Sequence, residues 1–368
     1  MTIGYWAPLP PSRTGVADYA AALLAELRSA APVQVNQPGD IALYQIGNNQ
    51  LHRAIYERAL ARPAVVLLHD AVLHHFMLGW LDERAYIEEF RYNYGVWAED
   101  TGRRLWESRA RSAADPVFFR YPMLRRITER ALAVIVHNPA AARMVRAHCP
   151  EARVHIVPHL LIPRPAPAEY ETVRLRADLV TSPRSYLFGV FGHLRESKRL
   201  ATVLRAFRRA RKMADIRLLV AGDFVSSVYE RAIEPMLGFA IRRRRLGARD
   251  FVRHAAAIDA CINLRYPSAG ETSGIAVHMM GAGKPVLLTD AEENDYPAGS
   301  CIRIAPGLSE EEELAAEMVR LAAYRQGGRA MGANAAAWVR STHHPAAAAK
   351  AIVEIMRSCY EVCSANRQ

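Results

Sequence analysis

Short β-branched runs alternate with helix-period segments along the whole chain, and a cluster of prolines breaks the pattern once. In the first half the runs are Ile3 to Trp6, Ile41 to Ile46, Val65 to His69, Ala133 to His137 and Val154 to Val157, separated by segments such as Ala17 to Leu27 and Leu51 to Ala61. Tyr186 to Phe191, Ile216 to Ala221, Ala260 to Leu264, Val286 to Thr289 and Cys301 to Ile304 repeat the pattern in the second half. Strands apolar at every position are buried on both faces, and strands joined through helices pair in parallel. Two parallel sheets covered by helices are therefore expected. Between the halves, residues 159–185 carry Pro163, Pro165, Pro167 and Pro183 and read as a linker. At 368 residues the chain is too long for one ordinary core, so the domain boundary belongs there.

Composition narrows the partners. The formal charge of +11 comes almost wholly from arginine, since only Lys198, Lys212, Lys284 and Lys350 are lysines. A generally basic surface, an anionic substrate or an anionic membrane surface each fit that excess. Nucleic acid is not expected as a partner, because no zinc-finger spacing, aromatic ribonucleoprotein motif or recognition-helix pattern occurs. Cys149, Cys261, Cys301, Cys359 and Cys363 are odd in number and lack metal-site spacing, which points to a reduced, cytoplasmic setting. Cys359 and Cys363, four apart on a helix-period segment, read as packing residues. No signal peptide opens the chain and no run nears about 18 apolar residues, so membrane contact is expected to be peripheral at most.

The stretch 262–290, INLRYPSAGETSGIAVHMMGAGKPVLLTD, says most about chemistry. It reads as strand, loop of small residues, helix beginning near Gly274, helix stop at Gly281 to Pro285, and strand. Such a loop offers free N–H groups and the positive end of the helix dipole to a phosphate. Glu271 stands in that loop, where a carboxylate accepts hydrogen bonds from hydroxyls. A phosphate site beside such an acceptor suits a nucleotide sugar. Pro8 to Tyr19 is a turn-rich loop leading to a second helix start, with Gly15 allowing close backbone approach; an ordinary strand-to-helix turn fits it equally. His69 beside Asp70 at a strand end suits sugar binding or proton handling, or else caps the next helix. The spacing of His69, His74 and His75 lacks the helical HExxH pattern of a metal site. Phe191 to Arg199, with Gly192, His193, Lys198 and Arg199, reads as a glycine turn entering a helix, able to grip a diphosphate or simply to present a solvated basic face.

In this order and spacing, PLPPSRTGVADY, YQIGNNQLHRAIYERAL…VVLLHD, FGHLRESKR and INLRYPSAGETSG…GAGKPV resemble the group 1, family 4 glycosyltransferases of the GT-B type over nearly the whole chain. The resemblance implies two Rossmann-like doubly wound α/β domains facing a central cleft. An acceptor-side domain would cover residues 1–165, with a helical insert at 72–130, and a donor-binding domain would cover 184–343. Residues 344–368, containing the end of WVRSTHHPAAAAKAIVEIM, would form a helix crossing back to the first domain. It implies a nucleotide diphosphate sugar as donor substrate, no cofactor, no metal, and transfer with retention. Lys198 matches the lysine that neutralises the donor diphosphate, with Arg199 assisting. His193 replaces the usual arginine of that turn. Glu271 matches the glutamate that holds donor-sugar hydroxyls, and Thr272, Ser273 and Gly274 match the helix N-terminus that meets the phosphates. His278 or Met279 falls where a second glutamate grips the ribose. Gly15 matches the loop that closes over the phosphates, and His69 the histidine beside the reacting sugar. The short strand and glycine expected around Leu246 to Ala260 are missing from the pattern.

In such enzymes the departing phosphate oxygen takes the acceptor proton on the same face, so no side-chain nucleophile is needed; Glu271 as an attacking base is the competing assignment. The expected acceptor is a glycan, a lipid-linked molecule or a metabolite, and the expected location is cytoplasmic, with peripheral contact at the inner membrane face as a further option. Phe76 to Arg130, rich in aromatic residues and arginine, reads either as an acceptor-docking surface or as a helical layer with a solvated basic face. Arg242 to Arg245 form a second basic cluster. The competing function is a nucleotide-sugar-binding protein that does not transfer; a phosphorylase or an epimerase on the same scaffold is a third.

Overall fold

A computed structural model describes residues 1–12, 14–244 and 246–365; Arg13, Arg245 and the last three residues lie outside the described set. The chain forms two compact units. Unit 1 comprises Met1–Ile162, Pro267–Thr272 and His343–Gln368, and unit 2 comprises Pro163–Tyr266 and Ser273–Thr342.

In chain order unit 1 has β1 (Ile3–Trp6), α1 (Gly15–Ala30), β2 (Val33–Val35), β3 (Ile41–Ile46), α2 (Arg53–Ala61), β4 (Val65–Leu68), α3 (His74–Trp80), α4 (Glu83–Tyr94), α5 (Glu99–Glu107), α6 (Arg125–Arg130), β5 (Ala133–Val136), α7 (Pro139–His148) and β6 (Val154–Ile156). Unit 2 has α8 (Glu169–Leu179), β7 (Tyr186–Phe191), α9 (Leu200–Ala210), β8 (Ile216–Ala221), α10 (Ser227–Ile233), β9 (Ile241–Arg243), α11 (Ala248–Ala257), β10 (Ala260–Asn263), α12 (Gly274–Gly281), β11 (Val286–Thr289), β12 (Ile302–Ile304), α13 (Glu310–Ala323) and α14 (Arg325–Thr342). The last helix, α15 (Pro345–Ala365), returns to unit 1. There Ala349, Ile352, Val353 and Met356 join the core built by Tyr19, Leu23 and Leu27 of α1 and by β3.

Each unit contains one six-stranded parallel sheet, ordered β2-β1-β3-β4-β5-β6 in unit 1 and β12-β11-β10-β7-β8-β9 in unit 2. The central strands are buried at nearly every position, which is why their sequences read as unbroken apolar runs. In unit 1 the order reverses between β1 and β3, and in unit 2 between β7 and β10. Loops leaving two such neighbouring strands turn to opposite faces of the sheet and leave a crevice at their carboxyl ends.

Three segments differ from the sequence expectation. The edge strands β2 and β9 are three residues long and only half-buried, so they carry no apolar run to find. The strand missed around Leu246 to Ala260 is β9, lying just before that stretch, while α11 occupies the stretch itself. Inside the proline-rich segment stands α8, fastened by Arg176, which donates to the carbonyls of Ala257 and Ser185 and to Asp259.

The stop of α12 follows the sequence closely. Gly283 takes φ +74°, Gly283 N–H donates to Met280 O, and Lys284 N–H donates to Met279 O, a Schellman arrangement. The carbonyl of Gly283 then meets α14 at Gly332, where a Cβ would lie 2.0 Å from the oxygen. We expect Gly332→Ala to lower unfolding free energy by about 2 kcal/mol through overpacking, read as a shift in the urea midpoint. Gly238→Ala, in open space, should leave that midpoint in place.

Candidate functional site

In unit 2 the turn after β7 and the polar end of β10, Asn263, meet at the carboxyl ends of the two strands. Gly192 leaves β7 with φ +96°, a left-handed backbone that glycine accepts without strain. The chain then makes a single 3-10 turn over Glu196–Lys198 and enters α9 through Arg199, which also has positive φ. This sharp entry folds Lys198 inward until it is only 5% exposed. Its Nζ donates to Phe191 O and to Asn263 Oδ1, both at 3.1 Å. Because the ammonium only donates, the Asn263 amide is oriented, and its Nδ2 donates to Ser273 Oγ at 2.9 Å. Ser273 is the N-cap of α12, accepting from Ala276 N–H at 3.3 Å. Arg265 Nη2 also donates to Ser273 Oγ, at 3.2 Å, while Arg265 N–H donates to Thr289 Oγ1 at 2.9 Å. The structure thus brings Gly192, Lys198, Ser273 and Gly274 to one place.

Of the other unit 2 residues named from the sequence, His193 and Arg199 lie on the turn after β7 and His278 lies on α12. Arg199 directs its guanidinium at Glu310, a carboxylate only 1% exposed, with Nε to Oε2 at 2.9 Å and a second bond from Nη2. His193 is exposed on the turn. His278 packs its ring on Phe251 at 5.0 Å, and its buried Nδ1 has no hydrogen-bond partner among the described residues. Burial, aided by Arg164, lowers the His278 pKa to about 4, so the ring is neutral near pH 7. Cys261, beneath Lys198, has its thiol pushed up to about 12 by burial and offers no ready nucleophile.

In unit 1, Gly15 opens α1 behind the N-cap Thr14, and a Cβ there would meet nothing within 4 Å. His69 follows β4 and is held from both sides. Tyr5 OH donates to Ala20 O, so its oxygen must accept from Gln45 Nε2, which turns Gln45 Oε1 toward His69. His69 Nε2 therefore carries the proton and donates to that oxygen at 2.8 Å. His69 Nδ1 lies 3.4 Å from Nε2 of His137, whose Nδ1–H donates to Val157 O. Tyr19 packs edge-on against His69. Glu271 is buried and accepts from Ala269 N–H at 2.8 Å, tightening its own loop. The same loop is pinned by Asn138, the N-cap of α7, whose Nδ2 donates to Gly270 O and to Thr272 Oγ1 at 3.0 Å each.

Gln45, His137, Asn138, Asn263 and Arg265 escaped the sequence reading. A signal was available: each is a polar residue within or just beyond an apolar strand, a position where a polar side chain must find a partner.

The aromatic and basic insert divides in two. Its rings largely stack on one another in the unit 1 core, as with Phe90, Tyr94 and Tyr121, and many of its arginines are paired, as in Arg84–Glu88, Arg103–Glu99, Arg125–Glu129 and Arg126–Glu89. Trp97 is the exception at 85% exposure. An open groove of about 590 Å³ is lined by His75, Leu78, Gly79, Glu107, Arg109 and Ser112, with the Arg109 guanidinium 4.4 Å from the Trp106 ring. Among the described residues, no group of three or more His, Cys, Asp or Glu is arranged to hold a metal ion, and no helix is long and apolar enough to cross a membrane.

Burial also lowers the pKa of His52 and His137 to about 4, that of His74 to about 3, and that of His69 well below its ordinary value. The unfolded chain takes up these protons near pH 6.5 while the folded chain refuses them, so the stability they contribute is full above about pH 6.5 and is lost as pH falls toward 4. The urea midpoint should therefore drop steeply across that window, with a shallower slope for His137→Gln; a flat profile would contradict the buried neutral rings.

Comparison of the sequence with protein-family models and with curated proteins gives no match. Solved structures do match. Sucrose-phosphate synthase from Thermosynechococcus elongatus superposes with a TM-score of 0.70 at 14% identity, covering 98% of this chain and 100% of that one. HepE from Anabaena, in complex with UDP and glucose, gives 0.69 at 16% identity, covering 97% and 100%. WaaG, a glycosyltransferase involved in lipopolysaccharide biosynthesis, gives 0.62 at 15% identity, covering 95% and 99%. With its two six-stranded parallel sheets and a last helix returning to unit 1, the chain has the GT-B fold.

Proposed function

We propose that this chain is a group 1, family 4 glycosyltransferase that moves a hexose from a nucleotide diphosphate sugar to a glycan, lipid-linked or metabolite acceptor, with retention of configuration and without a bound metal. The observation that carries the reading is the buried Lys198 amine, fixed at the carboxyl ends of β7 and β10 together with the N-cap of α12. One solved protein of this fold, HepE, is crystallised with UDP-glucose.

Breaking the bond to the diphosphate builds positive charge on the anomeric carbon and negative charge on the leaving oxygen. A cation and helix N–H groups already aimed at that oxygen stabilise the transition state more than the ground state. Lys198 supplies the charge, and Ser273 with Gly274 the N–H groups. The departing phosphate oxygen takes the acceptor proton, so no enzyme nucleophile is required. Glu271 orients donor-sugar hydroxyls, and His69 contributes a neutral ring of fixed tautomer. The acceptor uses the groove beside Arg109 and Trp106, and the product is a surface glycan or a glycosylated metabolite assembled at the cytoplasmic side of the membrane. A second reading, a nucleotide-sugar binder without turnover, draws on the diversion of Arg199 to Glu310, which leaves fewer cations for the leaving group.

Incubation with UDP-, GDP-, ADP- and TDP-sugars separates the two. Donor hydrolysis or transfer supports the enzyme, and tight binding with no turnover supports the binder. Lys198→Ala should lower turnover by more than about tenfold, since losing one charge-assisted bond in a dry site costs over roughly 1.4 kcal/mol; full activity in the folded variant overturns the assignment. The transferred sugar should keep its anomeric configuration by proton NMR, and turnover should survive a chelator. Inversion, or loss reversed by manganese, would count against the mechanism.

A further inference from the structure

We propose that unit 1 carries a second small-molecule site, for a phosphate monoester with a flat apolar body, in a cavity walled by α2 and α15. The cavity measures about 350 Å³, a size typical of small-molecule sites. Its lining includes Asp40, Ala64 and Leu132, the residues that directly precede β3, β4 and β5. Parallel pairing puts those three strand starts at one end of the sheet, and His69, which follows β4, lies at the other. The cavity is therefore separate from the crevice at the carboxyl ends.

Charge marks it as a site for an anion. Arg58 of α2 and Arg62, which caps that helix, stand four apart and so share a face. The Arg58 guanidinium stacks over the Trp6 ring, 3.7 Å from its centroid, and Trp6 is the register partner of Tyr44. A ring satisfies only the face of a guanidinium, whose N–H groups point outward in its plane. Arg58 Nε is buried with no hydrogen-bond partner, and neither arginine forms an ion pair, among the described residues. Asp40, the acidic residue of the lining, is already engaged: it accepts from Thr2 N–H at 2.6 Å and lies 3.9 Å from the terminal amine. The negative end of the α2 dipole accounts for two cations at this turn, but it does not account for a buried donor left without an acceptor. Two guanidinium charges match a phosphate monoester, which carries about −1.5 to −2 at pH 7, and guanidinium edges bind its oxygens in pairs. Trp6, Tyr360 and Leu132 supply apolar wall beside them, which fits a flat apolar body on the phosphate.

The test is calorimetric titration of the full chain with phenyl phosphate, inorganic phosphate, phenol and benzoate. Phenyl phosphate should bind more than about tenfold tighter than each of the other three. Arg58→Gln should weaken it by about tenfold and Arg62→Gln by more than about threefold. Arg62 is exposed, so should Arg58→Gln fail to fold, Arg62→Gln decides the matter alone. A second readout locates the ligand. Cys363 lines the cavity, while Cys301 lies in unit 2, and both are half-buried. Saturating phenyl phosphate should slow alkylation of Cys363 by N-ethylmaleimide more than about threefold, read by peptide mass spectrometry, and leave Cys301 at its own rate. Phenyl phosphate binding no tighter than inorganic phosphate or phenol, unchanged affinity in a folded Arg62→Gln, or unchanged labelling of Cys363 overturns the site. Benzoate binding as tightly as phenyl phosphate overturns its assignment to a phosphate.

Discussion

An ammonium group withdrawn from water is the constraint around which unit 2 is arranged. Burying Lys198 is costly unless its donors are met, and the acceptors it reaches are the last carbonyl of β7 and the amide that ends β10. Those two groups are neighbours only because the strand order reverses there and brings the carboxyl ends of β7 and β10 side by side. The glycine turn at Gly192 and the left-handed residue Arg199 let the chain double back sharply enough to deliver the amine.

Unit 1 solves a different problem with neutral groups. A line of fixed partners, from Ala20 O through Tyr5, Gln45 and His69, forces each side chain into one orientation and one tautomer. His69 Nδ1 then lies 3.4 Å from His137 Nε2.

Much of the fold was legible because parallel strands buried on both faces leave unbroken apolar runs; β1, β3, β7, β8 and β11 have the very limits read from the sequence. β2 and β9 were not legible, since an edge strand of three half-buried residues leaves no such run. Proline spacing concealed α8, whose hold on the rest of unit 2 comes from one arginine rather than from an apolar stripe. In the candidate site, glycines and the lysine were visible because turn and cap chemistry is local. The pairing of Arg199 with Glu310 was not legible, because the two lie 111 residues apart. Asn263 was within the quoted motif yet unassigned, since its contact with Lys198 spans 65 residues.

The return of α15 to unit 1 has a consequence for biogenesis. The face of α1 that carries Tyr19, Leu23 and Leu27 leaves the ribosome long before the helix that packs against it. The segment Pro267–Thr272 that Asn138 ties down also emerges long after its partner. Unit 2, nearly contiguous in sequence, can close on itself while synthesis continues. Vectorial synthesis thus lets unit 2 close before α15 emerges and leaves an apolar surface of unit 1 uncovered through that interval.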